Sequence, residues 1–231
     1  MLYKFIHGFL ITANVYVLSL ALMGKLTLYI HPRYVLFTVI MTAVGLALSI
    51  LAFFSTNAKM SLKSFVAFLP IIGLVAVGLL LPASSLSSFS AGQRSGGNLS
   101  ENVVTRGENS VDLYGNNSGS LELIDWARLI GRNTDPKYYS GREVNVSGFV
   151  YDSGNPDSFQ IARFVVSCCA IDAQPTGIDV YYPDWKSKFE QDQWLEISGE
   201  IKQFDLAGKS TLALDPETTT EIPEPENPYA N

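Results

Sequence analysis

Two cysteines, Cys168 and Cys169, stand side by side in a chain of 231 residues that has no others. They close a β-branched run, Arg163-Phe-Val-Val-Ser-Cys-Cys-Ala-Ile-Asp-Ala173, and a carboxylate, Asp172, follows three residues after Cys169. Thiolates bind soft or borderline metals such as zinc or copper(I), and a carboxylate shifts the preference toward zinc. In a strand, neighbouring side chains point to opposite faces. A shared ligand therefore needs a turn, and Ala170-Ile-Asp-Ala-Gln-Pro175 is compatible with one. Three ligands, Cys168, Cys169 and Asp172, would leave an open position suited to a metal or metalloid carrier. Arg163 would position the carboxylate or brace the loop. Two other readings stay open: thiol redox chemistry at the vicinal pair, or packing of one cysteine as a small hydrophobe. A stable structural disulfide between adjacent residues is disfavoured, because its eight-membered ring strains the intervening peptide. Both histidines fall in the amino-terminal third, so no Ser/His/Asp triad can be assembled, and no Walker or dinucleotide loop is present.

The elements that must position these residues divide by charge. Residues 1–100 hold no Asp or Glu and six Lys or Arg. Residues 101–231 hold all 22 acidic groups against ten basic ones, a net −12. So acidic a domain argues against nucleic acid, whose phosphates are neutralised by Lys and Arg.

Three apolar runs, Phe9–Ile30, Val35–Phe54 and Phe65–Pro82, predict three membrane spans, since a hydrocarbon core of roughly 30 Å needs about 20 helical residues. Lys4, Lys59 and Lys63 on one side outweigh the turn His31-Pro-Arg33 on the other. The amino terminus is therefore expected in the cytoplasm and the acidic domain outside a plasma membrane. Asn14 is deep enough to hydrogen-bond a neighbouring helix, while His31 and Arg33 are expected at headgroup depth, in contact with lipid.

Residues 83–119, rich in Ser, Gly and Asn, predict a flexible linker. Ser120 is the expected cap of a helix whose apolar stripe is Leu121, Ile124, Trp126, Leu129 and Ile130, ended by Asn133–Pro136. Beyond Gly141 the period becomes two, giving five strands around Val144–Val150, Phe159–Val166, Ile178–Tyr182, Trp194–Ile201 and Thr211–Leu214. Gly148 and Gly199 interrupt two of them, as where a strand bends sharply around a small barrel. The expected architecture is a three-span helical anchor (residues 1–82) plus a small mainly-β domain (120–215), an OB-like barrel with one leading helix. An acidic, proline-rich tail (216–231) is expected to be disordered. Tyr181, Tyr182, Trp185 and Trp194 read as core or rim and not as base-stacking platforms.

The Cys-Cys-x-x-Asp-Ala core, preceded by Gly148-Phe-Val and followed by Trp194-Leu-Glu-Ile-Ser-Gly199, resembles the YcgQ-like family of bacterial membrane proteins. His31-Pro-Arg33 and Leu81-Pro-Ala-Ser-Ser-Leu-Ser87 are similar to that family too. The resemblance implies a subunit of a two-component permease, with a multispan permease as its partner. It assigns no activity to the soluble part.

Overall fold

The computed structural model describes residues 2–55, 62–81, 83–95, 99, 121–206 and 208–230. The chain divides into two compact units, residues 1–84 and 85–231.

The first unit is helical: α1 (Leu2–Leu22), α2 (Pro32–Ser55) and α3 (Leu62–Leu80). Within it, Lys4–Leu22 and Pro32–Phe54 are long and apolar enough to cross a membrane. Exposed apolar residues include Leu10 and Val15 on the first and Leu36, Phe37, Ile40 and Leu51 on the second. Thr12 and Ser49 are satisfied inside their own helices, donating to Gly8 O at 3.1 Å and to Gly45 O at 2.7 Å, while the Tyr16 hydroxyl donates to Gly78 O of α3 at 3.2 Å. This is how a polar side chain is tolerated in an apolar segment. The expected third run coincides with α3, which carries Pro70 inside it.

The first helix ends earlier than the apolar run suggested. Gly24 takes the left-handed conformation (φ 72°) that stops a helix, and Lys25 opens a 3₁₀ turn, Lys25–Leu28. The apolar residues 26–30 thus belong to the turn before α2, and the α1 span lies nearer the amino terminus than Phe9–Ile30.

The second unit is mainly β. Its helices are α4 (Ser88–Ser95) and α5 (Leu123–Arg132). Its strands are β1 (Glu143–Tyr151), β2 (Ser158–Val165), β3 (Gln174–Tyr181), β4 (Trp194–Leu206), β5 (Lys209–Glu221) and β6 (Tyr229–Ala230). They form one six-stranded sheet in the order β1-β4-β5-β3-β2-β6, with a further β1–β2 pairing through Phe149↔Ala162 to Tyr151↔Gln160. Neighbours are antiparallel except β3–β5 and β2–β6.

Helix α5 forms because Leu123, Trp126, Ala127 and Leu129 bury one face against the sheet. Its cap is Glu122, in a reciprocal box with Asp125, and the expected cap Ser120 lies outside the described residues. The core beneath it gathers Val144, Val146, Val150, Phe159, Ile161, Ile178, Leu195, Ile197 and Leu214.

Two interrupting glycines mark close strand approaches. A Cβ on Gly148 would lie 2.5 Å from Ala162 O, and one on Gly199 only 2.1 Å from Asp215 O. The β4–β5 register shifts between Ser198 and Gly199, so the second glycine sits at a bulge.

A second apolar cluster covers the outer face of β1 and β2: Phe149, Tyr151, Ala162, Phe164 and Val166. It corrects two expectations. Residues 88–95, placed in a flexible linker, form α4, and Ala91 and Leu99 are fully buried on this cluster. The tail, expected to be disordered, extends β5 to Glu221 and returns as β6, with Tyr229 buried beside Phe164. The physical reason is common to both. A sheet that is apolar on both faces needs a second cover, and these segments supply it.

The four aromatics weighed as stacking platforms are packed within the domain. Tyr181 stacks on Phe204 with centroids 4.1 Å apart, Tyr182 meets Phe189 edge-on, and Trp194 meets Phe149. Trp185 is buried and donates its indole N–H to Asn155 O at 3.1 Å.

Candidate dithiol site

The connection from β2 to β3 is a tight loop whose stems, Val166 and Ala173, are buried in the outer-face cluster. Between them the chain is forced outward: Cys168 is exposed, Cys169 half-buried and Ile171 87% exposed. The turn itself is closed by Asp172, whose backbone N–H donates to Cys169 O at 3.0 Å. Its carboxylate reaches back to the cysteines. Cys168 N–H donates to Oδ2 at 2.9 Å and Cys169 N–H to Oδ1 at 3.2 Å. The turn puts both sulfurs on one side, and Cys168 Sγ donates to Cys169 Sγ across 3.4 Å.

The expected trio therefore does come together: the ligand atoms of Cys168, Cys169 and Asp172 all lie within 4.8 Å of one another. Both Asp172 oxygens, however, already accept backbone N–H groups, so the carboxylate acts first as the staple of the loop. Burial raises its pKa, but the N–H groups of Cys168 and Cys169 outweigh that and hold it below the usual carboxylate range. The staple is in place above the ordinary carboxylate range and is lost as pH falls through this lowered value.

Electrostatics separate the two thiols. Cys168, whose S–H is held by Cys169 and which lies beside the Asp172 charge, is pushed up to about 11. Cys169 is lowered, chiefly by the backbone N–H of Ile171 and then by the Cys168 S–H, both of which favour its thiolate. Iodoacetamide alkylation followed by peptide mass spectrometry is expected to label Cys169 first, with a pH midpoint below that of an ordinary thiol. In Cys169→Ser, the Cys168 midpoint should fall from its raised value, because the sulfur holding its proton is gone. Equal labelling of both thiols across the pH range would contradict this asymmetry.

Arg163 does not play the part expected of it. Its Nη2 donates to Ser147 Oγ at 3.3 Å, and its guanidinium lies 5.4 Å from the Trp194 ring centroid. Strand alternation sends it toward β1, away from the carboxylate that follows it in sequence. The bracing falls to Arg94 on α4, whose Nη1 donates to Ala170 O at 3.2 Å and also to Ala173 O. Helix α4 is in turn fixed at its start by Asp192. Ser88 N donates to Asp192 Oδ1 at 2.6 Å and Ser88 Oγ to Oδ2 at 2.7 Å. No motif in the sequence pointed to Arg94 or Asp192. The signal, where there was one, lay in the apolar outer face that α4 had to cover.

The polar residues of the helical unit make contacts of their own. Asn14 donates to Leu10 O at 2.7 Å, and its Oδ1 lies 3.0 Å from where a Gly45 Cβ would be, so α2 accommodates it by having no side chain there. His31 Nδ1 accepts the Arg33 N–H at 3.1 Å and so caps the first turn of α2. Arg33 is exposed.

No curated protein and no solved structure matches the chain. Residues 122–231, which contain α5, all six strands and the dithiol loop but not Arg94, match the family model of the DUF1980 C-terminal domain.

Proposed function

We propose that this chain is a membrane-anchored accessory subunit of a permease complex, of the YcgQ-like kind, whose outer domain binds a thiophilic metal or metalloid through Cys168 and Cys169. The observation that carries the reading is the pair of sulfurs, 3.4 Å apart on an exposed loop that Asp172 staples and Arg94 braces. A dithiol held this way loses little freedom on chelating an ion, which favours binding. Zinc and other thiophilic ions are the candidates for the site.

The anchor is three membrane spans, α1, α2 and α3, packed in lipid beside a multispan permease, with the amino terminus in the cytoplasm and the β unit outside. Two apolar helices, the length of α3 and the bias of Lys4, Lys59 and Lys63 support this arrangement. The β unit is an OB-like barrel. Its pairings run β1–β4–β5–β3–β2 and return to β1, with a parallel β3–β5 contact, which supports closure.

Elemental analysis of purified full-length protein in detergent, loaded with zinc or with arsenite and then desalted, is expected to find about one equivalent of ion, as one chelating pair requires. The double variant Cys168→Ser, Cys169→Ser should retain none. An ion-free parent protein would remove the reading. For topology, a reporter active only outside the cytoplasm should be active when fused after Asn231 and silent at Lys59. The reverse pattern would place the thiols in a reducing compartment.

One observation favours a second reading, thiol–disulfide exchange: Cys169 is lowered and Cys168 raised, the asymmetry of an attacking and a resolving thiol. A reversible two-electron titration of ion-free protein would support it.

A further inference from the structure

We propose that the ion taken by this dithiol is a trivalent p-block metalloid, arsenic(III) or antimony(III), held as a three-coordinate pyramid, and that Asp172 is a positioning residue and not a ligand. The inference rests on the dithiol reading above and narrows its ion.

The argument is the bite of the site. With metal–sulfur bonds of about 2.3 Å, sulfurs 3.4 Å apart close an S–M–S angle of about 95°. A tetrahedral zinc at the same bond length needs sulfurs about 3.8 Å apart, and a linear two-coordinate copper(I) needs about 4.6 Å. An angle near 90° is what a centre bonding through p orbitals, with a lone pair in its fourth position, prefers. Asp172 holds both of the cysteines' N–H groups, so the backbone that carries the two sulfurs is fixed and only the side-chain torsions can widen the bite.

The rest of the loop points the same way. Structural zinc takes four protein ligands and catalytic zinc three. Here Asp172 already accepts two backbone N–H groups through its two oxygens, and Ile171, at the tip, offers no ligand atom. Two sulfurs fall short of the three protein ligands that even open zinc sites use, and so hold zinc less tightly than a metalloid that brings its third ligand with it. Starting from arsenous acid, each thiol proton leaves with one arsenic-bound hydroxyl as water. Two S–H and two As–O bonds are replaced by two As–S and two O–H bonds, and the remaining hydroxyl stays on arsenic. No electron is transferred, and the adduct is neutral.

The test uses reduced, metal-stripped, full-length protein in detergent, with arsenite and zinc ions as probes and free-thiol titration plus intact mass as readouts. Arsenite is expected to block both thiols in a one-to-one adduct, at concentrations at least about tenfold below those at which zinc protects them. Cys168→Ser and Cys169→Ser should each weaken arsenite binding by about 100-fold or more, because the chelate becomes a single bond. Asp172→Asn keeps one acceptor oxygen, so the loop loosens and arsenite binding weakens by less than about tenfold. Arsenic K-edge absorption should report two sulfurs and one oxygen in both the parent and this variant. Zinc binding tighter than arsenite, and lost in Asp172→Asn, would overturn the inference while leaving the dithiol site standing. Protection by neither ion would overturn both.

Discussion

Replacing Trp126 by alanine is expected to cost the β unit about 3–5 kcal/mol, the largest effect of any single truncation considered for this fold. Trp126 is the bulkiest fully buried side chain of α5, at 0% exposure, and the helix has no other means of gripping the sheet over comparable area. Its removal leaves a cavity that Leu123, Ala127 and Leu129 cannot fill without shifting the helix. The melting transition of the β unit, followed in full-length protein in detergent, should fall by roughly 2–4 °C for each kcal/mol lost. Trp126→Phe makes the argument specific. The indole N–H is buried without a hydrogen-bond partner among the described residues, so phenylalanine gives up some area and also relieves an unpaired donor. Its cost should stay below about 1.5 kcal/mol. If the phenylalanine variant were as damaged as the alanine one, a hydrogen bond and not volume would be the function of that indole.

Gly199→Ala is the second expected loss, of about 3 kcal/mol or more. The added methyl would sit 2.1 Å from Asp215 O, and that oxygen is backbone, so no rotamer change relieves the clash. Either the β4 bulge irons out or β4 and β5 separate next to Gly199↔Pro216. The same substitution at Gly148, 2.5 Å from Ala162 O, acts on the β1–β2 pairing instead. Urea unfolding of the two variants should show lowered midpoints. A parental midpoint for Gly199→Ala would mean that the strands there have room to spare.

Much of this fold was readable in the sequence because it depends on local pattern. Alternation located all five principal strands, the helical stripe located α5, and the glycines, read as sharp bends, mark two close approaches between strands. The turn between Cys168 and Asp172 followed from Ala170 to Pro175. What escaped was cover. Leu86, Ala91 and Leu99 are scattered singly through Ser- and Gly-rich chain, so no periodicity announces that they dock. Tyr229 likewise hides in a proline-rich tail. The clue was on the strands: Phe149, Tyr151 and Phe164 face away from the main core and are still large and apolar. Arg94 and Asp192 were invisible for the same reason, since their roles exist only once α4 has docked. The choice between a ligand role and a staple role for Asp172 needed the actual positions of two N–H groups.

Strand β6 has a consequence in the order of events during synthesis. Tyr229 pairs with Phe164 on β2, and its hydroxyl accepts the Leu86 N–H at 3.3 Å, linking a segment to ones made far earlier. A chain emerging from its amino end completes β1 through β5, with both thiols present, before residues 229–230 exist to pair with β2 beside the dithiol loop. Contacts this distant in sequence form slowly. During that interval the edge of β2 is open and the approach to the cysteines is not yet fixed on that side. The nascent chain thus carries a free strand edge at Phe164 and Val165 that the folded protein has closed.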